Sequence, residues 1–189
     1  MATFRRWLFR SFILSAIGLM LVSWFLPWWS VNIPRLTISN AVVIRPYGLT
    51  IDEAMYTYKS SIEGVDMPGF FTPLMWAYLA ICVIAVLLAA FFIKDKNIRI
   101  IKFNFNLPRL IIGFVGFSYI AIAVIAIVYS MMRAAAIDMS MFEPTLLQVY
   151  PTVYAEPGLQ IGYWLAYGAG ALLIVLALLR NRIIGETRT

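Results

Sequence analysis

Histidine is missing from this 189-residue chain and cysteine occurs once. Zinc, haem and copper centres draw on imidazole and thiolate ligands, so those sites are closed to it. A carboxylate site for calcium or magnesium needs a recognisable loop of oxygen ligands, which the sequence does not contain. Serine–histidine–aspartate catalysis needs the imidazole as well. The one cysteine, Cys82, allows no intrachain disulfide. Charge is also scarce: 13% of the residues are Asp, Glu, Lys or Arg, against about 25% in ordinary soluble domains. Neither a cofactor nor a metal is expected.

What fills the chain instead is apolar. Hydrophobic residues make up 62% of it, with a mean hydropathy of +0.86. They gather into four runs, at about residues 7–27, 71–93, 109–132 and 159–179. A hydrocarbon core about 30 Å thick is crossed by roughly 20 residues rising 1.5 Å each, so every run is long enough to span it. No ionisable side chain lies deep inside any of them. The expected fold class is an all-α membrane protein, a four-transmembrane-helix bundle forming a single domain over residues 1–189. A small extracellular β-containing subdomain is expected from the loops at 30–70 and 134–157, packing together.

The first run follows Arg5, Arg6 and Arg10, which also suits a secretory signal. Its length, its end at Pro27-Trp28-Trp29 and the lack of a small-residue cleavage site favour a retained helix. Trp24, Trp28, Trp29, Trp76 and Trp164 near the run ends suit an interfacial aromatic belt. Orientation follows from the basic residues. Eleven Lys and Arg lie in the two termini and the connector at 94–109, against four in the two larger loops, Arg35, Arg45, Lys59 and Arg133. The positive-inside rule then places both termini in the cytoplasm, with the chain a multi-pass protein of the cell membrane. The net charge of +6 is a topology signal, and nucleic acid is not an expected partner, because the cations are scattered at helix ends.

The first loop alternates like a strand at 29–33 and 36–39, and Val42-Val43-Ile44 continues the β-rich content. Pro46-Tyr47-Gly48 reads as a turn. Thr50 or Asp52 is placed to cap a short helix through Ile51 to Lys59, with Glu53 completing a capping box from Thr50. The second loop carries Met139, Met141, Phe142, Leu146, Leu147, Val149 and Tyr150, an apolar set that packs on the first loop or meets a partner. Val153-Tyr154-Ala155 is a candidate strand added to the first loop's sheet. In the connector, apolar and polar residues alternate from Ile101 to Leu107. Pressed onto the inner membrane surface, Phe103, Phe105 and Leu107 would anchor in the interface with Lys102 at the lipid headgroups. A partner strand pairing with this segment is the alternative.

Topology and loop pattern resemble the claudin and peripheral myelin protein superfamily. The residues that carry the resemblance are Trp29, early in the first loop, and Gly48-Leu49, about 19 residues later. Thr50 stands where that family has a further Trp, and its pair of loop cysteines is missing here. The resemblance implies lateral self-association or an auxiliary role beside a larger membrane complex, with Trp29, Gly48 and Leu49 in the core of the outer loop.

Candidate reactive groups are few. Asp52-Glu53 is an adjacent acidic pair, which on a helix points about 100° apart and reads as a solvated cap. Cys82 sits between Ile81 and Val83, where a thiol behaves as a small hydrophobe. Arg133 at a run end reads as a snorkelling side chain. Association signals stand out more. Gly162, Ala166 and Gly170 recur every four residues, and Gly113, Gly116 and Ala121 thin the third run. Small residues let helix backbones approach closely in lipid, whether within one bundle or between subunits. The expected function is a non-enzymatic membrane accessory or structural subunit that binds other membrane proteins through these faces and its outer loops. Expected partners are membrane lipids and other integral membrane proteins or a second copy of the chain. Two other readings stay open: a channel or carrier for a neutral or lipid-like solute, and a scaffold subunit of a respiratory or monooxygenase-type complex.

Overall fold

Long apolar stretches without internal breakers make helices wherever the backbone must satisfy its own hydrogen bonds. In the computed structural model they form α1 (Ala2–Phe25), α2 (Phe71–Leu87, continued by a π-helical turn at Leu88–Phe92), α3 (Leu107–Ala135) and α4 (Ile161–Ile184). The structure describes residues 2–33, 38–51, 68–93, 97–100, 103–135, 142–143, 145–147 and 150–184. Among the described residues four helices, over Phe4–Phe25, Phe71–Phe92, Leu107–Met132 and Ile161–Ile184, are long and apolar enough to cross a membrane.

Helix ends depart from the sequence expectation for local reasons. α1 stops at Phe25 rather than at 27, because Leu26 precedes Pro27 and a residue before proline is steered away from the helical region. Arg45 reaches this end and donates from Nε to the Phe25 carbonyl at 3.3 Å, supplying a cation where helix carbonyls lack partners. α3 begins at Leu107, so the strand-like alternation expected to run to that residue ends one position earlier. Asn106 is its cap: the side-chain Oδ1 accepts from the Arg109 N–H at 3.5 Å, and Pro108 lacks the donor that would otherwise be orphaned. α4 starts two residues late and runs past Leu179 to Ile184, since an arginine at 180 does not interrupt helical bonding.

The chain divides into two compact units. The first comprises Met1–Leu21, Ala77–Ile122 and Leu165–Thr189. Its buried residues step along each helix by threes and fours: Phe9, Ile13, Ala16 and Met20 on α1, then Leu79, Cys82, Val86 and Ala89 on α2. Ile112, Val115 and Tyr119 continue the pattern on α3, and Ala166, Ala169, Leu173, Leu176 and Arg180 on α4. That spacing is the repeat of knobs-into-holes packing. A two-stranded hairpin, β4 (Asn97–Ile100) with β5 (Phe103–Asn106), precedes α3.

The second unit comprises Val22–Trp76 and Ala123–Trp164. It holds β1 (Trp29–Ile33), β2 (Ile38–Arg45), β3 (Gly48–Ile51), β6 (Thr145–Leu147) and β7 (Tyr150–Leu159). Their order is β3-β2-β1-β7-β6, antiparallel throughout. β1 is central, pairing Trp29 with Ile44 on one side and with Leu159 on the other. The turn at Pro46-Tyr47 joins β2 to β3. Thr50 and Ile51 lie in β3, which overturns the expected capping of a helix by Thr50; the hydrogen-bonding edge of β2 claims that segment instead. The helix expected through Lys59 otherwise lies outside the described residues.

Candidate functional site

Three of the small residues singled out from the sequence, Gly116, Gly162 and Gly170, sit at close backbone contacts. In the first unit Gly116 and Gly170 face one another: a Cβ on Gly116 would stand 2.7 Å from the Gly170 carbonyl oxygen, and one on Gly170 would stand 2.6 Å from Ile120 Cγ1. A Cβ on Gly113 would meet that of Ala177 at an ordinary 3.4 Å. Ala166 is fully buried. In the second unit Gly162 lies against the turn after α1, where a Cβ would approach the Pro27 carbonyl oxygen to 2.5 Å. Its own N–H donates to that oxygen at 3.1 Å.

Trp29, Gly48 and Leu49 belong to the sheet. Trp29 is buried on β1, and Gly48-Leu49 opens β3 opposite Arg45 and Ile44. A Cβ on Gly48 would touch Thr72 Oγ1 at 3.7 Å, and that hydroxyl donates to the Tyr47 carbonyl at 2.7 Å. The tryptophans do not form the expected belt as a set. Trp24, Trp28 and Trp29 are 0, 1 and 6% exposed, while Trp76 and Trp164 are 39 and 58% exposed. The buried ones fasten the end of α1 to its surroundings in the second unit. Trp28 Nε1–H donates to the Ser23 carbonyl at 2.9 Å and its ring meets Tyr163 edge-on at 6.1 Å. Trp24 packs edge-on to Trp76 at 6.0 Å, and Tyr47 lies 5.3 Å from the same ring.

Polar side chains on the helices of the first unit bond to one another. Ser118 Oγ donates to the Val115 carbonyl at 3.0 Å, which leaves Tyr78 as the donor in the 2.9 Å Tyr78–Ser118 contact. The Tyr119 hydroxyl donates to the Met20 carbonyl at 3.1 Å. Cys82 is buried. Among the described residues no three of His, Cys, Asp and Glu come together as a metal site would require. Of the connector residues, Lys102 lies outside the described residues, Phe103 and Phe105 are on β5, and Leu107 is the first residue of α3.

No family model, curated protein or solved structure matches this chain.

One constellation escaped the sequence reading, which took the cations as scattered. In the first unit Arg6 and Arg10 from α1 and Arg180 from α4 line a single cavity of about 280 Å³. Phe9, Ala90, Phe91, Phe92, Ile93 and Ile184 complete its wall, and none of the described lining residues is acidic. Arg10 stacks over the Phe91 ring at 4.9 Å and Arg180 over Phe9 at 5.9 Å. Arg180, 6% exposed, also donates from Nη1 to Asn106 Oδ1 at 3.2 Å. The π-helical turn shapes the opposite wall, with the Ile93 N–H bonded to the Leu88 carbonyl at 2.9 Å. Arg6 and Arg10, four residues apart on one helix face, were the readable half of this signal. Arg180 joins them only through tertiary packing.

Proposed function

We propose that the chain is a non-enzymatic, multi-pass membrane protein, an accessory or structural subunit that binds other membrane proteins. In this reading the four helices form a membrane bundle, both termini are cytoplasmic and the five-stranded sheet lies on the outer side. The observation that carries it is the sheet itself. Segments 29–51 and 145–159, from opposite halves of the chain, are knitted through β1 and β7 into one fixed platform. Among the described residues its edges are β3 and β6, and an edge strand offers backbone donors and acceptors to a partner. Gly113, Gly116 and Gly170 serve as internal helix seats. The faces left for lipid and partners are apolar, such as Leu74, Ile81, Ile84, Leu88 and Phe92 along α2 and Leu110, Phe114, Phe117 and Val124 along α3.

Crosslinking in native membranes, mild-detergent extraction and native sizing test the subunit reading. The chain is expected in an assembly larger than its own detergent complex, with crosslinks from residues 29–51 or 145–159 to another protein. A monomer in every mild detergent, crosslinked to nothing, would sink it. Orientation is tested separately in a Cys82→Ala background. Phe70→Cys is expected to react with an impermeant maleimide in intact cells, and Thr187→Cys only after permeabilisation. The reverse pattern inverts the topology.

A further inference from the structure

Three guanidinium groups lining one small cavity repel each other, and for Arg180, the buried one of the three, leaving water adds a cost that grows as the surroundings become apolar. Stacking on Phe91 and Phe9 and the neutral Asn106 carbonyl offset part of that cost. An anion with several oxygens is the ligand that such a set of guanidinium groups suits, because arginine forks match phosphate oxygens in paired hydrogen bonds. The volume, about 280 Å³, lies just under the roughly 300–1,000 Å³ of pockets that engulf a whole drug-sized ligand. It suits a headgroup rather than a complete lipid.

Placement along the helices narrows the source. Arg6 and Arg10 lie at the start of the first candidate span, Phe92 and Ile93 at the end of the second, and Arg180 and Ile184 at the end of the fourth. Successive crossings alternate in direction, so these ends share one side. This step rests on the membrane reading above, which makes that side cytoplasmic, where the leaflet carries anionic lipids and basic pockets between helices bind their headgroups. Six of the nine lining residues are aromatic or aliphatic, and Phe92 at the margin is 76% exposed. A free inorganic anion would leave those apolar surfaces unused; the glycerol and first methylenes of a phospholipid would cover them. A π-helical turn within a span, widening the wall at Ala90–Phe92, is a distortion that proteins keep mainly where it serves a site.

We infer that the cavity lined by Arg6, Arg10 and Arg180 seats the phosphate headgroup of an anionic phospholipid. The purified full chain in non-ionic detergent, offered equal phosphatidylglycerol and phosphatidylcholine, would be weighed by native mass spectrometry for retained lipid. A micelle has no charged surface, so generic attraction drops out. Preferential retention of phosphatidylglycerol is expected, weakened about tenfold or more in Arg6→Gln/Arg10→Gln, which removes two of the three guanidinium forks. Arg180 is left intact because it is buried. Arg5→Gln/Arg182→Gln removes the same charge from positions that do not line the cavity and should retain the lipid as the parent does. Equal loss in both pairs, or no preference in the parent, overturns the site. Displacement of the lipid by an equal concentration of inorganic phosphate would assign it to a free anion instead. Extraction of native membranes with alkaline carbonate separates the two levels: release of the chain would defeat the membrane reading, whereas retention without lipid preference defeats only the headgroup site.

Discussion

A Gly116→Val variant is expected to lose about 3 kcal/mol of stability, the upper end of what overpacking costs in a filled interior. The first added carbon would stand 2.7 Å from the Gly170 carbonyl oxygen and 2.9 Å from Leu173 Cβ. A backbone oxygen cannot rotate aside as a side-chain tip can, so α3 and α4 must part. Their parting would forfeit the close van der Waals contact that small residues allow between helix backbones. Midpoints of detergent-mixture or thermal unfolding would read the loss. Gly170→Val, which meets Ile120 and the Gly116 carbonyl, should cost as much on its own. The double variant should fall short of the sum, since helices already separated by one side chain accommodate the second. Gly168→Ala is the control: nothing lies within 4 Å of the added carbon, and a helical glycine replaced by alanine changes stability by about 1 kcal/mol at most, in the favourable direction. If Gly116→Val unfolds with the parent's midpoint, the two helices do not meet at these glycines.

Trp28→Ala should be as damaging, at about 3–5 kcal/mol for emptying a buried tryptophan site. The side chain is 1% exposed, its indole N–H holds the Ser23 carbonyl, and its backbone connects three segments. The Trp28 N–H donates to the Ile44 carbonyl and its own carbonyl accepts from Gln160, both at 2.9 Å. Loosening here is expected to show as faster amide exchange in β1 and in the first turn of α4, in addition to a lowered midpoint. Trp28→Phe keeps the contact with Tyr163 but gives up the indole hydrogen bond, a net cost of about 0.5–1.5 kcal/mol. Equal losses in the two variants would mean that the hydrogen bond, rather than ring volume, anchors this corner.

The four long apolar helices were legible because each run of apolar residues is long enough to need no other element to satisfy its backbone. Strand β1 was legible from its alternation, β2 in part from the β-rich Val42-Val43-Ile44, and the turn at Pro46-Tyr47 from its proline. The addition of Val153-Tyr154-Ala155 to the first loop's sheet was read too, as part of β7, but the register of pairing was not, because a period of two says which face a side chain takes and nothing about its neighbour. β3 was hidden for that reason: Thr50 looks like a helix cap until the free edge of β2 is known. The start of α3 was present in the letters Asn106-Leu107-Pro108, a cap followed by a proline, but the strict alternation before it drew the boundary too far along. Burial of Trp24 and Trp28 could not be read, since an aromatic near a helix end serves an interface or a core equally well. The same holds for the arginine cavity, where one of three cations arrives from residue 180.

Antiparallel pairing of Trp29 with Leu159 has a consequence for the order of assembly. The central strand of the sheet is made early in synthesis, while the neighbour that closes its second side emerges only after three of the four helices. Until then β1 can pair on one side alone, and closing so long an intervening loop is slow because the chain must give up its freedom before the contact rewards it. The nascent protein therefore passes through an interval with an unsatisfied strand edge, the kind of surface on which a folding helper would act.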